Sequence, residues 1–335
     1  GGPAVGARGG RSGAVSARVF AQLRRACAEV MERAVSVRIE ARALGALAEA
    51  LARPASGEGP PDPAHHPKGD PEARLAYVLV LDAINFGSGY FPYLAKRAGL
   101  SGYFTVATCL RERFEADGAW SARELTRLTA RDCAAWLGQD LAVPQVAELM
   151  GLYARALNDL GDFLLERYAG RFEGPVAEAR GSAGHLVEIL ARMPFYRDVS
   201  RYRELRVPFY KRAQLTAADL AVAFEGKGYG RFRDLDQLTC FADNLVPHVL
   251  RQAGALVYAP DLGNRIDAGE PLRAGSPEEV EIRAAAVHAV ERCVDVLRGA
   301  GVATTAHRLD YVLWSRGQAP EVKAQPRHRA RSVYY

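Results

Sequence analysis

Long apolar runs are missing from this 335-residue chain. A membrane-spanning helix needs about 20 near-continuous apolar residues, and runs such as 77–81 break off far short of that. A secretory apolar core is missing too. Residues 1–16 are rich in Gly, Ala and Arg, and residues 1–15 read as a flexible leader. Paired cysteines are absent: Cys27, Cys109, Cys133, Cys240 and Cys293 are odd in number, widely spaced and without a CxxC. That argues against a thiolate zinc site and points to buried free thiols in a reducing, cytoplasmic setting. Metal motifs are lacking as well. There is no HExxH and no Asp-rich calcium loop, and the adjacent His65 and His66 cannot share a helix face. No metal and no cofactor are expected. Nor does one sign of charge dominate, since 44 Lys and Arg face 39 Asp and Glu. A nucleic-acid binder concentrates its basic charge more visibly, so neither nucleic acid nor membrane is an expected partner. The densest basic cluster, Arg327, His328, Arg329 and Arg331, reads as a solvated tail.

What is present is helical periodicity. The composition, 49% apolar and 25% charged, is that of a globular chain with a sizeable core. Residues 14–53 read as helical, with Val37, Leu44, Leu47, Ala48 and Leu51 on one apolar face. Further helices are predicted over 71–84, 101–116, 129–137, 144–168, 182–193, 215–225, 277–298 and 305–314. Two more fall within 235–256, separated by a break at 244–247. Ser121 and Glu124 have capping-box spacing. Pro144 opens the longest helix and Gly170 follows its end. Strand signals are confined to 206–210 and 255–258. The fold class is therefore mainly α. Residues 16–335 are expected to form one helical domain of two lobes, about 16–200 and 201–335. The loop 54–70 carries His65 and His66, is longer than most connections, and is a candidate lid.

Several segments hold candidate chemistry. Glu225-Gly-Lys-Gly-Tyr-Gly-Arg231 contains a GxGxG, but it follows a helix, so neither a dinucleotide-binding turn nor a P-loop fits. It reads as a glycine C-cap or as a loop whose Lys227 or Arg231 reaches an anion. Lys211 and Arg212 follow two aromatics just ahead of a helix with Thr216 as its cap; these cations face solvent, or meet a phosphate or a carboxylate. In 238–250 a helix ends near Phe241, a bend carries Asp243 and Asn244, and Pro247 lies in the first turn of the next helix. Asp243 there is either a cap or a charge placed to stabilise a cation. Asp82 and Asp310 are single acids in apolar stretches. Asp310 reads as a buried ion-pair partner of Arg283 or Arg308, or as a binding residue. Glu281 and Arg283 are spaced for ion pairing.

Together these segments resemble one family, the queuosine 5′-phosphate N-glycosylases of queuosine salvage. The resemblance rests on Leu81-Asp-Ala-Ile-Asn-Phe86, Ser101-Gly-Tyr103, Tyr196-Arg-Asp198, Phe209-Tyr-Lys-Arg-Ala-Gln214, Glu225-Gly-Lys-Gly228, Phe241-Ala-Asp243 with Pro247, Val280-Glu-Ile-Arg283, Leu309-Asp-Tyr311 with Leu313-Trp314, and Tyr334-Tyr335. It runs from about residue 36 to the C-terminus, and order and spacing carry it. Ser315 and Asn244 depart from the family's usual acid and aromatic. The resemblance implies a fold like the helix-hairpin-helix DNA glycosylases and hydrolysis of queuosine 5′-phosphate to queuine and ribose 5-phosphate. On that reading Asp243 stabilises the sugar cation, and Lys211 binds the phosphate or positions Asp243. Asp310 becomes the counter-charge to queuine's secondary amine, with Tyr311 or Asp82 as diol partners. Phe241 or Phe86 stacks on the deazapurine. Arg212, Lys227 and Arg231 are phosphate candidates, and His65 or His66 stands for a family loop histidine. Two other classes remain open: a helix-hairpin-helix module that extrudes a base from nucleic acid, and a non-catalytic queuine carrier.

Overall fold

A computed structural model describes residues 10–53 and 69–335. His65, His66 and nearly all of the candidate lid lie outside the described residues, as do residues 1–9 of the leader. The helices are α1 (Gly10–Arg33), α2 (Ala41–Leu51), α3 (Pro71–Ala83), α4 (Gly102–Asp117), α5 (Ala122–Leu125), α6 (Ala130–Leu137), α7 (Pro144–Tyr168), α8 (Gly174–Ala179), α9 (Ala183–Leu190), α10 (Lys211–Ala223), α11 (Val246–Gln252), α12 (Pro260–Asp267), α13 (Pro277–Gly299), α14 (Ala306–Gly317) and α15 (Pro320–Lys323). Two antiparallel strand pairs complete the fold: β1 (Val37–Ile39) with β4 (Leu256–Tyr258), and β2 (Val199–Tyr202) with β3 (Leu205–Pro208). The chain is mainly α, as its periodicity predicts. Ser121 and Glu124 form their capping box, and all five cysteines are buried and free.

Three local expectations fail, the first and the third because buried side chains take over backbone hydrogen bonds. Residues 14–53 do not form one helix. The Glu281 carboxylate accepts the N–H groups of Val35, Ser36 and Val37, which ends α1 and lets Val37 pair with Tyr258 in a strand. The helix expected at 215 begins at Lys211; Thr216 lies inside it and donates back to the Arg212 carbonyl (2.9 Å). The helix expected before Asp243 is a single 3-10 turn at Leu235–Gln237, followed by irregular chain. There Gln214 accepts from Thr239 N–H (2.9 Å) and Asp310 accepts from Phe241 N–H (2.8 Å). The predicted helix–bend–helix is thus half present, as α11 alone.

Two hydrophobic cores sit side by side. One is built mainly from α3 through α10; the other joins α1 and α2 to α11 through α14. The second core is therefore drawn from both ends of the sequence. Phe241 and Tyr311 belong to the first core, while the neighbouring Cys240, Ala242 and Leu309 belong to the second. Segment 238–245 and α14 run along the seam. A buried frame fixes this seam. Arg283 of α13 donates to both oxygens of Asp198 (2.9 and 2.6 Å) and to the Ala242 carbonyl (2.9 Å). Asp198 also accepts from Lys211 N–H (3.1 Å).

The last residues form a strap over the seam. Arg329 O accepts from Leu272 N–H (2.8 Å), and Tyr335 O accepts from Gly87 N–H (3.1 Å). The Tyr335 hydroxyl donates to Glu279 (2.8 Å). Gly89 is required here, since a Cβ would lie 2.2 Å from the Ala330 carbonyl oxygen.

Candidate active site

A cavity of about 560 Å³ opens at the seam. Its walls come from the chain after α3, the start of α4, one face of α10, segment 241–245, α14 and the strap. Helical spacing explains two walls. Lys211, Leu215 and Asp219 stand at i, i+4 and i+8 of α10, and Asp310, Tyr311 and Trp314 share a face of α14, with Gln318 just past its end. Aromatic rings form the sides: Phe241 lies 6.0 Å from Tyr311, edge to face, and Tyr103 lies 6.1 Å from Trp314.

Asp243 is held rather than free. One oxygen, Oδ1, accepts from Leu245 N–H and Val246 N–H, each at 2.9 Å, in a turn that leads into α11. The N-cap of α11 is Leu245, so Asp243 is not the helix cap expected of it, and its carboxyl lines the cavity. Lys211 is 93% buried in the first turn of α10. Burial pulls its amine below the ordinary lysine value, while Asp243, Asp82 and Asp310 pull the other way. The positive end of the α10 dipole also disfavours this cation. Tyr210, just before it, holds a left-handed φ of 48°, strain of the kind found at functional sites.

Asp310 accepts from Cys240 Sγ (3.1 Å) and Phe241 N–H (2.8 Å). It pairs with neither Arg283 nor Arg308, because Arg283 is committed to Asp198. Burial and the nearby Asp243 push the Asp310 carboxyl up to about 8. Deeper in, Asp219 of α10 faces Asp82 of α3. Burial raises both, Asp82 to about 6, and the charge of Asp82 helps raise Asp219 well above the carboxylate range.

The mouth carries four cations: Lys96, Lys323, Arg327 and Arg329. Burial and mutual repulsion lower Lys96, Lys323 and Arg327, and burial lowers Arg329. Among the described residues none of the four has an acidic ion-pair partner. The field of Asp243 reaches Arg327 on one side and Lys211 on the other. The cavity is thus ordered: exposed or half-buried cations at the mouth, Asp243 next, and the buried Lys211, Asp310 and Asp219 inward, with Asp82 behind the wall.

Several expectations are corrected. Arg212 is 99% buried and faces no anion. It donates to the carbonyls of Asp82 (3.0 Å), Ala83 (2.7 Å), Phe195 and Val333 (2.8 Å), and it stacks on Phe86 at 4.8 Å. It clamps the C-terminal end of α3 to the strap. Phe86 reaches the cavity edge with its face already on Arg212. Lys227 and Arg231 line a separate hollow, because the 13 residues of α10 at 1.5 Å each separate them from Lys211 by roughly 20 Å. Lys227 is exposed and pairs with Glu225 (3.6 Å). Glu225 and Gly226 hold left-handed φ of 52° and 69°, and Gly226 N–H donates to Ala221 O, so the glycine turn is a C-cap. Glu281 and Arg283 do not pair with each other. Instead Glu281 takes the Tyr202 hydroxyl (2.7 Å).

The supposed solvated tail is a wall of the site. Arg327 and Arg329 line the cavity, while His328 is 99% buried and held near 3 by burial and the adjacent Arg283 and Arg327. The missed signal was alternation: 327–332 is half-buried, buried, half-buried, buried, exposed, buried, an extended segment. Asp219 was missed although its spacing from Lys211 could have revealed it. Lys96 and Lys323 carried no comparable signal, while Trp314 stood only among the segments of the family resemblance.

These features make one cavity lined by cations, carboxyls and aromatic rings. Among the described residues no His, Cys, Asp or Glu cluster is arranged to hold a metal ion, and no helix is long and apolar enough to cross a membrane. The chain belongs to the queuosine salvage protein family, whose sequence model matches residues 65–335. A protein from Sphaerobacter thermophilus is 39% identical over 313 residues, covering 91% of this chain and 95% of that one. A Bos taurus protein is 34% identical over 81% of this chain and 84% of its own. One from Dictyostelium discoideum is 32% identical over 79% of each. All three are named queuosine 5′-phosphate N-glycosylase/hydrolase.

Proposed function

We propose that this chain hydrolyses the N-glycosidic bond of queuosine 5′-phosphate, releasing queuine and ribose 5-phosphate for reuse in tRNA modification. Family membership supports the reaction. The observation that carries the mechanism is the order of charges in one cavity. The phosphate lies among Lys96, Lys323, Arg327 and Arg329, in place of the earlier candidates Arg212, Lys227 and Arg231. The sugar then lies beside Asp243, and the base lies inward against the pair Phe241 and Tyr311. A lone nucleotide fills such a cavity; a nucleic-acid strand is not part of the proposal. A likeness to the helix-hairpin-helix DNA glycosylases is supported by an acid at a helix start between two helical cores.

Cleavage of the C1′–N9 bond leaves positive charge on the sugar and the bonding pair on the base. Asp243 stabilises that charge and accepts a proton from the attacking water. Lys211 positions Asp243 and the acids around it. A 7-deazapurine has carbon in place of N7, so the usual protonation of a departing purine is closed. Asp310 supplies the proton to the base instead. It lies beside Asp243 and stays protonated to about pH 8, which suits a general acid better than the counter-ion role first expected of it. The proton taken by Asp243 returns to Asp310 through solvent, and the balance is one water consumed.

The test is chromatography of free queuine after incubation with queuosine 5′-phosphate, with the dephosphorylated nucleoside and guanosine 5′-phosphate as controls. Release is expected from the queuosine nucleotide. Asp243→Ala should lower turnover by about 10³-fold or more while still binding queuine. Binding of queuine with no release from any substrate would mean a carrier, and near-normal turnover by Asp243→Ala would remove its role.

A further inference from the structure

The inner end of the cavity holds more acid than the reaction uses. Asp219 is 92% buried and lines the cavity; Asp82, behind it, is fully buried. The cation both feel is Lys211, already shared with Asp243 and Asp310. Neither carboxyl has an ion pair among the described residues. Two polar atoms here have no hydrogen-bond partner: Asp82 Oδ2 and the Tyr311 hydroxyl. Tyr311 is 94% buried, lines the cavity, and feels Asp219 as its foremost charged neighbour. Tyr103, across the wall, feels Asp219 first as well.

Buried acids without a counter-charge and buried hydroxyls without a partner are costly unless a ligand completes them. The four cations at the mouth make the opposite surplus. The cavity is therefore polar along its length, with cations at the mouth and buried acids within. Its complement is a ligand carrying an anion at one end and a hydrogen-bonding cation at the other. We infer that Asp219, backed by Asp82 and flanked by Tyr311, is the counter-ion for the secondary ammonium on the side arm of the substrate's base, and so sets the enzyme's preference for that arm. The inference rests on the proposed glycosylase reading. It moves the amine contact from Asp310, which Cys240 and Phe241 already hold beside the reacting bond.

Two nucleotides separate the arm from the rest of the substrate: queuosine 5′-phosphate, and 7-deazaguanosine 5′-phosphate, which has the same base edge and phosphate but no amine. Asp219→Asn should lower kcat/KM for the first by about 30-fold or more, the scale for losing one partner of a buried charge pair. The second should lose at least about tenfold less than the first, because it has no amine for Asp219 to meet. Equal loss on both would overturn the inference and make Asp219 a reader of the purine edge or a structural acid. No loss on either would overturn it too. A second measurement needs no variant: the wild-type protein should bind queuine about 30-fold or more tighter than its isostere with CH₂ for the amine NH, and equal binding would sink the idea. Failure of the wild type to release queuine at all would instead strike the glycosylase reading.

Discussion

Asp310 shows how one environment sets both chemistry and stability. Its carboxyl is held by a thiol and a backbone N–H, next to Asp243. In the native chain it keeps its proton to about pH 8, against 3.8 for an ordinary carboxyl. The native state thus binds this proton more tightly than the unfolded state does. Its contribution is fully present below about pH 4 and is lost as pH rises through that window to about 8. Asp310→Asn escapes the loss, so its Tm relative to the parent should climb with pH and level off above about 8, a trend that thermal melts across pH will read. Activity should move the other way. The parent's kcat/KM should fall above about pH 8, and Asp310→Asn should lose about 10²-fold or more and lack that limb. A variant that keeps the alkaline limb would mean another group donates the proton.

At the scale of elements, the strap is the part that most changes the reading of the site. Its basic residues look like a tail, yet alternation turns Arg327 and Arg329 to the cavity and buries His328 and Ala330 behind them. The strap stays in place because its backbone bonds Leu272, Gly87 and Arg212. Arg329→Ala should raise KM for queuosine 5′-phosphate by about 10-fold or more, as expected for losing a charge-assisted phosphate contact. It should leave turnover of the dephosphorylated nucleoside nearly unchanged, and adding salt should weaken the parent more than the variant. Initial rates on the two substrates at two ionic strengths decide this. Equal damage to both substrates would show that the strap supports the site without touching phosphate.

For the whole molecule, the seam between two cores depends on a buried pair, Arg283 with Asp198, each at most 2% exposed. The pair fixes Lys211 through its N–H and Asp243 through the neighbouring Ala242 carbonyl. Removing one partner leaves a buried charge, so Arg283→Met should cost about 3–5 kcal/mol in denaturant unfolding. The double change Arg283→Met with Asp198→Leu should recover much of that stability and still lack activity, because neither Lys211 nor Ala242 is then held. Full activity in the double variant would show that the frame only stabilises.

What the sequence determined by itself follows from local physics. Helical periodicity defined the longest helix within a residue of its observed ends, and Ser121 and Glu124 announced their capping box. The order and spacing of short segments brought out Asp243, Lys211, Asp310 and Tyr311, all of which line one cavity. Only the tertiary structure decided the rest. Segment 35–37 and segment 239–241 have helix-compatible residues, but Glu281, Gln214 and Asp310, far away in the chain, take their backbone donors. Arg212 looked as fit for phosphate as Arg329 did for solvent, and packing reversed both. A cation's role depends on what lies within a few ångströms of it, and for a long flexible side chain that is settled by residues distant in sequence.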